Sequence, residues 1–482
     1  MDTIISTVIN ILFLITFALS AISLFLLGAY YLTISIIYLT RTRHRTPVQF
    51  PLPENLPRVT IQLPIYNERF LVERLMAAVT NLDYPKDLLQ IQVLDDSTDF
   101  TSDLLHPLVE KNQLAGFDIL YLHRTDRTGF KAGNLMHGMA YATGELIAIF
   151  DADSVPESAW LKKVVPYFAV NPKLGWVQTR CIQINDKTNL ITGLQTLALD
   201  AFFLVEYPVR QMMGLMQGFS GSAGMWRKEC IEQTGGWQFD SLTEDRDLST
   251  RSQVAGWQAG YVPEALVASE VPAMMDAFLN QQYRWAKGHI QDYRKSFMQV
   301  VRAPLPWKVR LESVVRYSFD FSFLSTLLML LLSLPIGVLA PGFFTFFAWT
   351  FITSIGPPLY YFITHSSSFP KLWQRIFLLP GLALLGIGIS FSCGFGVLAG
   401  LLFKGGQFVT TPKDGQSVTR DFTKRFRISM PTLYVVGELA MGVYLITTVL
   451  VLWPTVGLVM APWLLSSAFG YIMVASFSIW QL

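Results

Sequence analysis

The chain alternates between long apolar runs and one polar block. No charged residue lies between Asp2 and Arg41. From 318 to 370 the only Asp, Glu, Lys or Arg is Asp320, from 376 to 403 there is none, and from 428 onward only Glu438 remains. A helix that crosses a bilayer needs roughly 20 apolar residues. The pattern therefore predicts membrane segments over 4–39, 318–340, 343–364, 376–403, 432–453 and 455–480. A cleaved leader is the alternative for the first. Against it, no basic stretch precedes the apolar run, which far exceeds the usual leader length.

Residues 58–317 carry ordinary charge density and read as strands alternating with helices. Val59-Thr-Ile-Gln-Leu63, Ile91-Gln-Val-Leu94 and Leu146-Ile-Ala-Ile-Phe150 are short apolar runs, and 71–82 has the spacing of an amphipathic helix. Strands spaced by helices imply a parallel α/β sheet. Such sheets bind ligands beyond the carboxyl ends of their strands. Two of the three runs stop in carboxylates, at Asp95-Asp96 and at Asp151.

Charge placement sets an orientation. Arg41, Arg43 and Arg45 follow the first apolar run, so the polar block is expected in the cytosol. Residues 404–427 hold six basic and two acidic side chains and are expected there too. Three full spans between the two would put them on opposite sides, so one segment must dip or fold back. One candidate is 376–403, which starts beside Lys371 and Arg375 and is rich in glycine; the other is 343–364, broken by Gly356-Pro357-Pro358. Residues 190–211 and 307–317 read as amphipathic helices at the membrane surface; the first reads equally well as a buried core helix.

Composition narrows the classes. Of 482 residues 51% are hydrophobic and 15% charged, against about 25% charged in a soluble domain. Mean hydropathy is +0.38. A simple soluble enzyme and a disordered chain are both excluded. With 37 basic and 35 acidic residues, nothing points to a nucleic-acid partner. Three cysteines without a CxxC and six histidines without HExxH exclude a disulfide scaffold and a zinc hydrolase.

Four constellations carry chemistry. Asp151-Ala-Asp153 follows a strand, and two carboxylates in one turn can reach one Mg²⁺ or Mn²⁺; a solvated turn is the competing reading. Asp96 can meet a nucleoside hydroxyl or the metal, or cap the next helix. Thr243-Glu244-Asp245 offers a general base toward a sugar hydroxyl, or acids that favour a helix start. Gln281 and Trp285 share one helix face. There Trp285 offers a stacking platform, and the adjacent Arg284 a phosphate contact.

Taken in order, Pro64-Ile-Tyr-Asn-Glu68, Asp95-Asp96, Lys131-Ala-Gly-Asn-Leu135, Asp151-Ala-Asp153, Thr243-Glu-Asp245 and Gln281-x-x-Arg284-Trp285 resemble the membrane-integrated family 2 glycosyltransferases of the cellulose synthase and cellulose-synthase-like type. The likeness runs from about residue 39 to the end. Phe219-Ser-Gly-Ser-Ala-Gly-Met-Trp-Arg227 is most similar to the mannan and glucomannan synthase branch and its bacterial relatives. The resemblance implies an α/β fold, a Rossmann-like GT-A glycosyltransferase domain inserted between α-helical transmembrane segments. It divides the chain into an N-terminal span with its basic flank (1–45), a cytosolic catalytic domain (46–300), an interface helix (301–317), membrane helices (318–403), a cytosolic gating loop (404–431) and a C-terminal hairpin (432–482).

It also implies roles. Tyr66, Glu68, Asp96, Lys131, Asp151 and Arg284 bind the nucleotide sugar. Asp151 and Asp153 hold Mg²⁺ or Mn²⁺, and Asp245 is the catalytic base. Phe219, Ser220, Gly221, Glu244, Gln281 and Trp285 bind the acceptor. Phe408, Thr410, Thr411 and Lys413 belong to a loop that closes over the donor, unless 404–431 is a plain basic loop.

The implied activity is processive, inverting polymerisation of a β-linked mannan, glucomannan or glucan, with export through the chain's own helices. The donor is GDP-mannose or UDP-glucose, and the partners are the growing polysaccharide and membrane lipid. Its place is a bacterial plasma membrane or a Golgi membrane, as a multi-pass protein. A synthase adding one hexose to a lipid is the alternative. A non-catalytic transporter is the third reading, disfavoured by the intact Asp151, Asp153 and Asp245.

Overall fold

The structure is a computed structural model that describes residues 2–44, 48–343, 348–368, 373, 375–406 and 432–480. Its centre is one eight-stranded sheet in the order β3-β2-β1-β4-β7-β6-β8-β5. The strands are β1 (Val59–Ile65), β2 (Leu89–Asp95), β3 (Asp118–His123), β4 (Leu146–Ile149), β5 (Val155–Pro156), β6 (Leu174–Gln183), β7 (Gly224–Arg227) and β8 (Gln258–Ser269). Strands β1 to β4 are parallel, as the alternating pattern predicts. The expectation of a wholly parallel sheet is corrected in the second half: β7 runs antiparallel to both β4 and β6, and β5 antiparallel to β8. The segment between β6 and β7 returns the chain to the sheet in the opposite sense. That reversal places residues 219–223 directly beside the end of β4.

The edge strand β3 buries only Ile119, whereas strands β1, β2 and β4 are almost entirely buried, as expected for strands covered on both faces. Their buried polar residues pair in register: Thr60 Oγ1 donates to Gln90 Oε1 at 2.8 Å and Gln62 Nε2 to Gln92 Oε1 at 3.0 Å. Helix α1 (Asp2–Ile37) precedes the sheet, and α2 (Val72–Thr80), α3 (Thr101–Leu114), α4 (Phe130–Met139) and α5 (Trp160–Val170) alternate with its strands. Next come α6 (Leu190–Ala201) and α7 (Tyr207–Met213), joined by a π-helical stretch at Phe202–Glu206. They are followed by α8 (Lys228–Gln233), α9 (Glu244–Val254), α10 (Met275–Arg302), α11 (Trp307–Tyr317), α12 (Phe321–Leu331) and α13 (Ser333–Leu339).

Among the described residues, four helical stretches are long and apolar enough to cross a membrane: Thr7–Thr42, Leu190–Met213, Thr432–Pro454 and Met460–Trp480. The number is six if each of two bent pairs counts as one span. Helices α11 and α12 meet at 52°, and Leu378–Gly388 meets Ser390–Leu402 at 44°. The stretch 343–364 contains a 3₁₀ turn, Ala348–Ile355, followed by the helix Gly356–Ser368. Gly28 and Gly356 meet where α1 crosses this stretch, too closely for any side chain, the small-residue contact that lets membrane helices approach. Residues Thr432–Trp480 are helical throughout, yet Gly442 lies against Ile472 and Ala468. A straight helix would hold residues 442 and 472 about 45 Å apart, so the chain folds back between them, around Pro454 and Pro462.

A buried ion network ties the membrane helices to the sheet domain. Arg210 of α7 donates to Tyr30 of α1 at 2.7 Å and to Glu312 of α11 at 2.6 Å, and Arg316 donates to Glu206 at 2.8 Å. Arg210 Nε also donates to the Met216 carbonyl at 2.8 Å, which fixes the loop leading into residues 219–223.

Candidate active site

One cavity of about 1070 Å³ brings together Tyr66, Glu68, Asp96, Lys131, Asp151, Asp153, Phe219, Ser220, Gly221, Glu244, Asp245, Gln281, Arg284 and Trp285. It continues between membrane helices, where Leu24, Tyr31, Ser322, Thr326, Tyr361 and Gly386 line it. Phe408, Thr410, Thr411 and Lys413 lie outside the described residues.

The first wall is built at strand ends. Asp95, at the end of β2, is consumed structurally: it accepts from Ser97 N, Ser102 Oγ and Tyr121 OH. Those hydrogen bonds outweigh burial and lower its pKa. Asp96 reaches the cavity, gripped by Arg124 through Nε at 2.8 Å and Nη2 at 2.6 Å. The Tyr66 ring is covered by the Arg127 guanidinium at 3.2 Å from its centroid.

Beyond β4, Asp151 N donates to Ser222 Oγ at 2.8 Å, and Ala223 N donates to Ile149 O at 2.9 Å. Strand pairing of Ile149 with Gly224 holds this geometry. Lys131 Nζ bridges the two segments, donating to Asp151 Oδ1 at 2.5 Å and to Gly221 O at 3.0 Å. Burial pushes the Lys131 ammonium down, but Asp151, Glu244 and Asp245 together hold it above the usual lysine range.

Asp151 and Asp153 fit a divalent ion. The Asp151 side chain is 36% exposed and already holds a cation, Lys131, against it. Asp153 is buried, with Oδ2 accepting from Glu270 N at 2.9 Å. Among the described residues no group of three or more His, Cys, Asp or Glu side chains forms a metal cluster. Magnesium-type ions need no such cluster: one or two carboxylates, substrate phosphates and waters suffice.

The second wall comes from helix starts. Helix α9 opens with Glu244 and Asp245, so the helix-start reading holds for the residues that also offer a candidate base. Burial raises the pKa of both carboxyls, the proximity of Asp245 adds to the rise at Glu244, and Lys131 opposes it at each. Asp245 Oδ1 accepts from Arg246 N at 2.8 Å. Its Oδ2 faces Gly221, where a Cβ would stand 2.9 Å away, and Gly221 has φ +81°. Glycine is required here twice over, for conformation and for space. Burial lowers the Arg284 pKa, while Glu244, Asp245 and Asp151 work against that. Phe219 lies in the core, its ring edge-on to Trp176 and Trp226 with centroids 5.8 and 5.2 Å away. It supports the Ser220–Ser222 backbone from behind.

Sequence reading did not single out Arg124, Arg127 or His289. Each acts through a partner distant in the chain, and no local spacing marks them.

The family model for "Glycosyl transferase family group 2" matches residues 146–387. A probable glucomannan 4-beta-mannosyltransferase 6 of Oryza sativa subsp. japonica is 36% identical over 271 residues, 55% of this chain and 47% of that protein. A probable glucomannan 4-beta-mannosyltransferase 2 of the same organism is 39% identical over 249 residues, 51% of this chain and 43% of that protein. The chain thus spans about half the length of the curated relatives it matches. Among solved structures, a mannosyltransferase from Pyrobaculum calidifontis, in complex with GDP-mannose and Mn²⁺, superposes with a TM-score of 0.51 at 20% identity, covering 80% of this chain and 99% of that one. That likeness shows the GT-A fold.

Proposed function

The chain belongs to glycosyl transferase family group 2, and from that premise we propose that it polymerises a β-linked mannan or glucomannan from a nucleotide-diphosphate hexose and passes the product through its own membrane helices. The observation that carries this reading is the single cavity that holds both walls and continues between those helices. The glucomannan mannosyltransferase relatives and the GDP-mannose bound by the structural neighbour favour GDP-mannose as donor; UDP-glucose is the second candidate.

Tyr66, Glu68 and Asp96 surround the nucleoside. Asp151 and Asp153 would hold Mg²⁺ or Mn²⁺, which when bound neutralises charge on the leaving diphosphate. Lys131 and Arg284 add fixed positive charge on the same side. Trp285 and Gln281 carry the terminal acceptor sugar. Asp245 Oδ2 takes the acceptor hydroxyl proton. The acceptor oxygen bonds to the anomeric carbon as the bond to the diphosphate oxygen breaks. Attack from the opposite face turns an α-linked donor into a β-linked product. A buried, cation-flanked carboxylate whose pKa is raised toward the working pH suits general base catalysis. We place the catalytic domain on the cytosolic side of a multi-pass protein, following the basic flank at Arg41 and Arg43.

The test uses purified protein in nanodiscs with Mn²⁺ or Mg²⁺ and radiolabelled GDP-mannose or UDP-glucose, in separate reactions. A long product cut by β-mannanase is expected from GDP-mannose. A short labelled species that partitions with lipid would replace the polymer reading with single transfer to a lipid.

A further inference from the structure

His289 and Asp320 form a polar pair on the cavity wall that the roles above do not use. Asp320 is the only Asp, Glu, Lys or Arg between 318 and 370, and it stands just before α12. Its side chain is 13% exposed and fully engaged. His289 Nδ1 lies 2.9 Å from Oδ1, and Arg246 Nη1 donates to Oδ2 at 3.3 Å. Arg246 in turn follows Asp245 directly.

A carboxylate accepts, so the ring proton sits on Nδ1 and the second nitrogen, Nε2, points elsewhere. Among the described residues nothing bonds Nε2, and the ring is 28% exposed. Both His289 and Asp320 line the cavity. Gln281, Trp285 and His289 are spaced four apart on α10 and so form one stripe along it. At 1.5 Å per residue, His289 stands about 6 Å along the helix from Trp285, close to the length of one sugar ring. Ser322, Phe323 and Thr326 continue the lining from Asp320 along α12.

We propose that His289, oriented by Asp320, is an acceptor-binding residue one sugar beyond Trp285, its Nε2 hydrogen-bonding a hydroxyl of the penultimate unit. This rests on the polysaccharide reading. It makes the junction between the reaction site and the membrane helices a second saccharide subsite. Chain length of the acceptor, and not only its terminal sugar, is then recognised before transfer.

The test compares mannose, which reaches only Trp285, with β-1,4-mannotriose, which reaches both positions. For His289→Ala, KM for mannotriose rises about fivefold, the loss of one neutral hydrogen bond. In the same variant kcat with mannotriose holds, and KM for mannose does not move. His289→Gln, whose amide reaches the Nε2 position, recovers most of the loss. An equal fall in kcat for both acceptors, or an unmoved KM for mannotriose, overturns the assignment. The wild type separates the two claims. Transfer by wild type with an indifferent variant sinks only the subsite, whereas no transfer to any saccharide sinks the polysaccharide reading and the subsite with it.

Discussion

The two walls of the cavity treat negative charge in opposite ways. On the first wall, proposed to hold the donor, two of the lining carboxylates have a cation pressed against them, Arg124 on Asp96 and Lys131 on Asp151. On the second wall, proposed to hold the acceptor, two carboxylates, buried Glu244 and partly buried Asp245, are adjacent in sequence and raised in pKa. The first arrangement compensates each negative charge with a hydrogen-bonded cation. The second stores a readiness to take a proton. Lys131 touches both walls, through Asp151 and through the Gly221 carbonyl. The lesson is that binding and proton transfer are separable here, and substitutions on each wall should fail differently.

The largest effect is expected on the acceptor wall. Asp245→Asn should lower kcat by about a thousandfold, within the range general base catalysis supplies, while nucleotide-sugar affinity stays within about twofold. Initial rates and equilibrium donor binding on the same preparation check both halves. Donor affinity falling together with the rate would merge the walls that this comparison separates.

Next comes the donor wall. Asp153→Ala should weaken nucleotide-sugar binding by about a hundredfold, as for a lost charged contact, and titrations with Mn²⁺ should show weaker metal dependence. Gly221→Ala tests the seam between the walls. A Cβ there meets Asp245 Oδ2, in a backbone conformation that costs about 1–3 kcal/mol for a non-glycine residue, so the rate should fall about tenfold with donor affinity nearly intact. Unchanged rates would show that the seam has room to spare.

The smallest effect is a shift in pH dependence. Burial holds both acids above the usual carboxylate range, so as pH falls Asp245 regains its proton earlier than an exposed carboxylate would. Removing the neighbouring charge in Glu244→Gln relieves one repulsion and leaves Asp245 ionised to lower pH. The acid limb of kcat/KM should therefore move to lower pH. A limb that moves upward, or not at all, would mean the two carboxyls do not titrate as a pair.

Much of this was legible in the chain, and the reason is local. Asp96, Asp151 and Asp153 follow strands made of unbroken apolar runs, and Gln281 and Trp285 follow helical spacing. What stayed hidden depends on return paths. Strand β6 mixes Gln178, Thr179 and Arg180 with apolar residues, and β8 carries Pro263 and Glu264. Neither has a clean period, so the antiparallel half of the sheet went unseen. Arg124 and Arg127 are surface-like in sequence and acquire meaning only when β3 brings them to Asp96 and Tyr66. The network of Tyr30, Arg210 and Glu312 joins residues up to 282 positions apart, beyond the reach of any spacing rule. Gly221 is assigned to the acceptor by resemblance alone, and its positive φ and its neighbour Asp245 give the physical reason for a glycine there.

The proposed mechanism has donor and acceptor face each other across one cavity, with Asp245 as the base in a single displacement. The anomeric configuration of the product tests it most directly. Proton NMR of the newly formed linkage, made from an α-linked nucleotide sugar, should show only the β configuration. An α linkage would require a second nucleophile between the walls and would contradict the single displacement.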